Sequence, residues 1–193
     1  MLPILDLHRS CPDITKEAAR GLHDLAELLG TASIEVGKTL FALRKEVRGV
    51  VSNRTLASLT ADMLDGVYLA EAGFTRAKQH RGEPLKGGQK LYEYPGCDAR
   101  FKVISSSRGD RLHFATNAGR HLQGAYFVAY HRVLDLKGKQ AGVDALWLFK
   151  AGKVKDRKPS KKGGFGGNVG DIDTSEVYPL LVPTLAQVRS LAG

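Results

Sequence analysis

The hydrophobic period of this chain changes at Phe74, and that change constrains the fold more than any other feature. Before it, apolar residues recur at helical spacing; after it, they alternate along short runs divided by turn residues. In "DITKEAARGLHDLAELLG", Asp13 is placed to cap a helix that carries Ile14, Ala18, Leu22, Leu25 and Leu29 on one face, with Gly30 as its stop. "SIEVGKTLFALRKEVRG" predicts a second helix ending at Gly49. "SNRTLASLTADMLDGVYLAEAG" predicts a third, capped by Ser52 or Asn53 and closing near Gly73. Beyond Phe74 a polar, basic loop leads into the strand-like runs "KLYEY", "ARFKVISS", "RLHFAT", "GAYFVAYHRVLDL" and "DALWLFKAG". Turn sequences at 107–110, 117–124 and 137–142 join several of them with no helix between, which predicts antiparallel pairing or a partly closed barrel. Thr184 to Leu191 reads as a short terminal helix.

The expected fold is therefore α+β in one domain over 1–193. A helical subdomain over 1–73 packs on an antiparallel, partly barrel-like β-sheet over 74–155, and a basic glycine-rich loop and tail occupy 156–193. A length of 193 residues with 42% hydrophobic and 25% charged residues supports a packed core and excludes a disordered chain. The apolar runs are too short to cross a bilayer as a helix, and the start "MLPILDLHRSCPD" lacks the layout of a secretory signal. Cys11 and Cys97 match no metal-binding spacing. A cytoplasmic, reduced setting with no membrane partner is the expectation.

The formal charge of +9 is concentrated rather than spread. Residues 1–75 hold 8 Lys/Arg against 10 Asp/Glu, residues 76–120 hold 10 against 4, residues 121–162 hold 10 against 3, and residues 163–193 hold 1 against 3. A basic middle between slightly acidic ends points to a polyanion, because clustered cations release counterions from a phosphate backbone. Two segments carry most of it. The loop after Phe74 offers Arg76, Lys78, Arg81, Lys86, Gly87, Gly88, Gln89 and Lys90. The segment "KDRKPSKKGGFGGN" offers Lys155, Arg157, Lys158, Lys161 and Lys162, with glycines that let backbone N–H groups approach an anion. Strand alternation adds Arg100 and Lys102 on the face opposite Ala99, Phe101 and Val103, and Arg111 opposite Leu112, with Arg108 in the turn at 107–110. The partner these residues suit is nucleic acid, with double-stranded DNA expected; Arg, Lys and Gln can grip phosphates and read base edges. Tyr92 and Tyr94 are candidates for base stacking, whereas Trp147 in "DALWLF" reads as core.

Catalysis has thinner support. A Mg²⁺-dependent nuclease needs clustered carboxylates and a lysine near the attacking water. Glu93, Asp98 and Lys102 form one such set, and "PGCD" resembles the first half of the PD-(D/E)xK nuclease motif, although Arg100 stands where the second acid belongs. Asp144, Asp156 and Lys158 form another set, and Asp135 with Lys137 a third without an upstream acid. No phosphate-binding Gly-x-x-x-x-Gly-Lys-Ser/Thr loop occurs. His131 and Asp135, four residues apart on an extended chain, lie about 13 Å apart, beyond a direct bond.

"LKGGQKLYEYP" resembles the DNA-recognition barrel that serves as an effector or specificity domain in type II restriction endonucleases. There a Gly-Gly-His-Gln loop leads into a strand with an aromatic residue and then proline. Gly87, Gly88 and Gln89 ahead of Tyr92, Tyr94 and Pro95 correspond to it, without the histidine. The resemblance implies a barrel over 90–150 gripping duplex DNA in its major groove. The expected function is a double-stranded DNA-binding protein of restriction type. The alternatives are a divergent PD-(D/E)xK endonuclease requiring Mg²⁺ and a non-specific RNA-binding or assembly protein.

Overall fold

The apolar spacing of the N-terminal third produces one long helix, not two. In a computed structural model, which describes residues 1–42, 63–86, 90–106, 113–116, 124–135, 137–150, 165–168, 177–182 and 184–188, helix α2 runs from Lys16 to Ala42 without interruption. Thr15 caps it, its Oγ1 accepting the Ala18 N–H at 3.2 Å. Ala18, Leu22, Leu25, Ala26 and Leu29 form its buried stripe, and each fully buried leucine is worth about 1.5–3 kcal/mol of removal from water. Gly30 does not stop the helix. It sits inside α2 against Thr184, and Gly37, two turns on, sits against Ala141, so that a side chain at either would overlap its neighbour. These glycines mark a close approach of helix and sheet, not a helix end.

Before α2, the chain forms strand β1 (Leu2–Pro3), a 3₁₀ turn (Ile4–Asp6) and a single turn α1 (Leu7–Ser10), which send Ile4, Leu7, Cys11 and Ile14 into the core. The expected second helix is thus absorbed into α2 as far as Ala42, and its remainder, with most of the expected third helix, lies outside the described residues. The last part of that third helix is a π-helical turn (Leu64–Tyr68) followed by α3 (Leu69–Glu71).

The remaining elements are strands: β2 (Thr75–Arg76), β3 (Gln79–His80), β4 (Glu83–Pro84), β5 (Tyr92–Glu93), β6 (Arg100–Ser106), β7 (His113–Thr116), β8 (Tyr126–Asp135), β9 (Gln140–Lys150), β10 (Phe165–Asn168), β11 (Val177–Leu181) and β12 (Leu185–Gln187). The main sheet runs β1-β11-β9-β8-β6-β5-β2, with β12 following β11 along the same edge of β9. It is mixed and open. β1 with β11 and β6 with β8 are parallel; the other pairs are antiparallel. The barrel expected from the short links between strands and from the restriction-enzyme resemblance is overturned, because β1 and β2 end the order and do not meet. The all-antiparallel expectation fails for a specific reason. β7, which the short turns suggested as the next strand of a meander, pairs with β10 in a separate ribbon. That leaves the edge of β6 to β8, which arrives parallel. Leu185–Gln187 is likewise a strand where a helix was expected, since it continues β11 along β9.

Strand alternation divides the core in two. Tyr126, Val128 and Tyr130 of β8 and Leu146 and Leu148 of β9 face α2, together with Phe101 of β6. Phe127, Ala129 and Phe149 occupy the opposite face with Ala77 and Leu91. Phe127 and Phe149 stack there with centroids 5.3 Å apart and planes 3° from parallel.

The seating of α2 is open to a direct test. In an exposed helix interior, Gly→Ala gains about 1 kcal/mol of helix propensity. At Gly30 the added methyl would strike Thr184, and overpacking of this kind costs about 1–3 kcal/mol. Gly30→Ala is expected to lower stability in urea unfolding. Gly66→Ala, at a position open on all sides, is expected to leave it unchanged or raised.

Candidate nucleic-acid interface

The basic loop after Phe74 is anchored at its base and exposed beyond it. The Phe74 ring packs edge-on against Tyr94 at 5.2 Å and Phe101 at 5.4 Å. Ala77 and Leu91 are buried, and the Ala77 N–H donates to the Leu91 carbonyl at 3.0 Å. Past that bond the chain folds back as the β3–β4 hairpin, with Gln79 opposite Pro84, His80 opposite Glu83, and the Leu85 N–H donating to the Lys78 carbonyl at 2.9 Å. Arg81 (φ 54°) and Gly82 (φ 79°) make the two-residue turn. Positive φ at both central positions matches the right-handed twist of a hairpin.

The hairpin and its flanks carry Arg76, Lys78, Arg81 and Lys86 as exposed side chains, with Lys90 half-buried beside Leu91. Residues 75–90 hold five Lys/Arg against one acid, Glu83. Gly87, Gly88 and Gln89, which carried the restriction-enzyme resemblance, lie outside the described residues, as do Arg108, Arg111, Lys155, Asp156, Arg157, Lys158, Lys161 and Lys162.

Arg100 has a place that the sequence did not disclose. Its guanidinium pairs with Glu93 at 3.0 Å. Nη1 donates to the carbonyls of Cys97, Asp98 and Ala99 at 3.2–3.3 Å, and Nε donates to the Gln79 carbonyl at 3.5 Å. This side chain joins β6, β5, the turn before β6 and the hairpin. Of the proposed metal-binding set, Glu93 is held in that ion pair, Asp98 is exposed, and Lys102 is half-buried in register with Phe127. Among the described residues, one group brings three potential metal ligands within 4.8 Å: His23, Asp24 and Glu27 on the outer face of α2.

Two further pairs depend on tertiary contacts. His131 Nδ1 lies 2.6 Å from Asp144 Oδ1. The β8–β9 register shifts there: His131 opposes Ala145 and Arg132 opposes Val143, so Asp144 is the extra residue of a bulge. Reading His131 against Asp135 in the same strand missed this partner, which is next to it across the sheet. Asp135 instead accepts the Lys137 N–H at 3.0 Å, in the β8–β9 turn.

The second is Asp13. It accepts hydrogen bonds from the Tyr126 hydroxyl and, at 2.9 Å, from Lys150 Nζ, which also lies 5.1 Å from the Tyr126 ring centroid. The local cap role expected for Asp13 falls to Thr15, which frees the carboxylate for partners more than a hundred residues away. Burial alone would raise its pKa, but the bonds from Tyr126 and Lys150 outweigh it and hold the carboxyl below its ordinary value. The Tyr126 hydroxyl is pushed up strongly, first by burial and then by the Asp13 carboxylate. Burial also raises the Cys11 thiol. Cys11 and Cys97 are both free and buried, Cys97 Sγ donating to the Asp13 carbonyl at 3.3 Å. No helix among the described residues is long and apolar enough to cross a membrane. No family model, curated protein or solved structure matches the chain.

Asp13 gives a signed prediction. A carboxyl with a depressed folded pKa stabilises above its unfolded value of about 3.9, and that contribution is lost as pH falls through the folded value. Asp13→Asn is expected to cost about 1–3 kcal/mol at pH 7 by weakening two hydrogen bonds to a charged group. It should also make stability fall less steeply between about pH 5 and pH 2. Urea unfolding of both proteins across that range checks it.

Proposed function

We propose that the protein binds double-stranded DNA through the β3–β4 hairpin and the basic residues at its base. The observation that supports this reading is a two-stranded ribbon with exposed Lys78, Gln79 and Arg81, flanked by exposed Arg76 and Lys86 and rooted in core residues Ala77 and Leu91. The B-form major groove admits a two-stranded ribbon, and Arg and Gln carry the donors that read guanine and adenine edges there. A-form RNA offers a deep, narrow major groove that side chains cannot read, which favours DNA over duplex RNA. Arg76, Lys78, Arg81, Lys86 and Lys90 can each grip a phosphate, contacts that set position and carry no sequence information. Arg100 acts on this reading as a positioning residue, because its bonds hold the hairpin to β5 and β6. Cleavage forms no part of the proposal.

Anisotropy titrations with a labelled duplex test it. Contact with five phosphates predicts that log K falls against log salt with a slope of about −4.5. Lys78→Ala with Arg81→Ala should make that slope shallower by about 2 if both residues contact phosphate. The melting temperature should stay unchanged, since both side chains are exposed. A slope near zero, or one untouched by the double substitution, overturns the hairpin as the binding element.

A further inference from the structure

Between the C-terminal half of α2 and the end of β8 lies a cavity of about 350 Å³ with an exposed mouth at Thr31, Glu35 and Met63. Its walls are apolar: the half-buried Leu28, Ala32 and Val36 of the helix face Val133 and Leu134 of the strand. An apolar cavity of about 150 Å³ takes up benzene, so one of 350 Å³ admits a ligand of about ten to fourteen non-hydrogen atoms. The volume falls at the lower end of the range for small-molecule sites. Met63, unbranched and polarizable, gives the mouth a side chain that can adjust to what enters.

The polar groups of the lining differ in what they have left to offer. Thr31 is exposed to solvent. Glu35 is paired with Lys38 at 2.7 Å, and the Tyr68 hydroxyl donates to the Met63 sulfur at 3.9 Å. Arg132 is buried but already has an interaction partner, so it makes no demand for a ligand charge. Ser33 is different: it is 6% exposed, and its hydroxyl is buried with no hydrogen-bond partner. It lies on the buried face of α2 between Gly30 and Gly37, where alanine would fill the same space with no polar group to satisfy. A buried hydroxyl left unpaired is destabilising, and a ligand oxygen that reaches it removes that penalty. A carboxylate is a poor guest here, because the apolar walls would strip its hydration and Glu35 would repel it at the mouth.

We propose that this cavity binds a small neutral amphiphile, its aliphatic body lying along Ala32, Val36, Val133 and Leu134 and its single oxygen bonded to the Ser33 hydroxyl. Medium-chain alcohols and ketones have this chemistry. A sugar or another polyol does not fit, since among the described lining residues Ser33 alone has a buried polar atom without a partner. A plain hydrocarbon would fill the space but leave that hydroxyl unpaired. The site is independent of the hairpin and of the nucleic-acid reading.

Methyl NMR titrations of the full chain test the assignment, with 1-octanol as the probe and 1-octene and octanoate as the oxygen-free and the charged comparison. Octanol is expected to saturate one site and to shift the methyl signals of Ala32, Val36, Val133 and Leu134. It should bind about threefold to tenfold more tightly than octene, the range of one hydrogen bond between uncharged groups. Against octanoate the preference should be at least about tenfold, because the carboxylate loses its water. Ser33→Ala should remove the preference for octanol over octene and leave octene affinity unchanged. Ala32→Phe fills the cavity from its wall and should abolish binding of both; should that variant fail to fold, the Ser33→Ala comparison decides. Octanoate or octene binding as tightly as octanol, an octanol preference that survives Ser33→Ala, or no saturable shift of these methyls would each overturn the proposal.

Discussion

A helix whose inward positions 30, 33 and 37 are glycine, serine and glycine can bring its backbone almost onto the strands beneath, and the rest of this molecule is arranged around that approach. The same helix presents leucines one and two turns earlier, so its N-terminal half fills a conventional core above β8 and β9 while its middle presses on Ala141 and Thr184. Close contact at one end and bulky contact at the other fix both the height and the position of α2.

The β8–β9 ribbon is the other fixed part. It pairs over the full length of both strands and buries side chains on both faces, which is why its sequence reads as a nearly continuous apolar run. Its one irregularity is the bulge at Asp144. Close to it on the other edge of β9, the passage from β11 to β12 also takes one extra residue: Leu180 opposes Leu146 and Leu185 opposes Gly142. Two neighbouring register shifts fall at one level of the sheet, and the His131–Asp144 pair sits at that level.

Two charged clusters tie distant segments of the described chain together. Lys150 and Tyr126 hold Asp13, which fixes the start of the chain to the sheet, and Arg100 gathers four backbone carbonyls and Glu93 at the root of the hairpin.

Local physics in the sequence determined the switch from helix to strand at Phe74, the inward stripe of α2 from Ala18 to Leu29, the two faces of β6, and the basic character of residues 75–90. Each of these follows from side-chain period or composition within a few residues. The tertiary structure decided what such patterns cannot hold. Gly30 reads as a helix stop until Thr184 is seen against it, and Asp13 reads as a cap until Lys150 and Tyr126 reach it. Arg100 looks like one more exposed cation until Glu93 and the hairpin close around it. The sheet's order and openness were beyond local reading for the same reason: which edge β7 takes is settled by β10, about fifty residues further along the chain. Periodicity names the face a residue turns to, but only the folded chain supplies what that face meets.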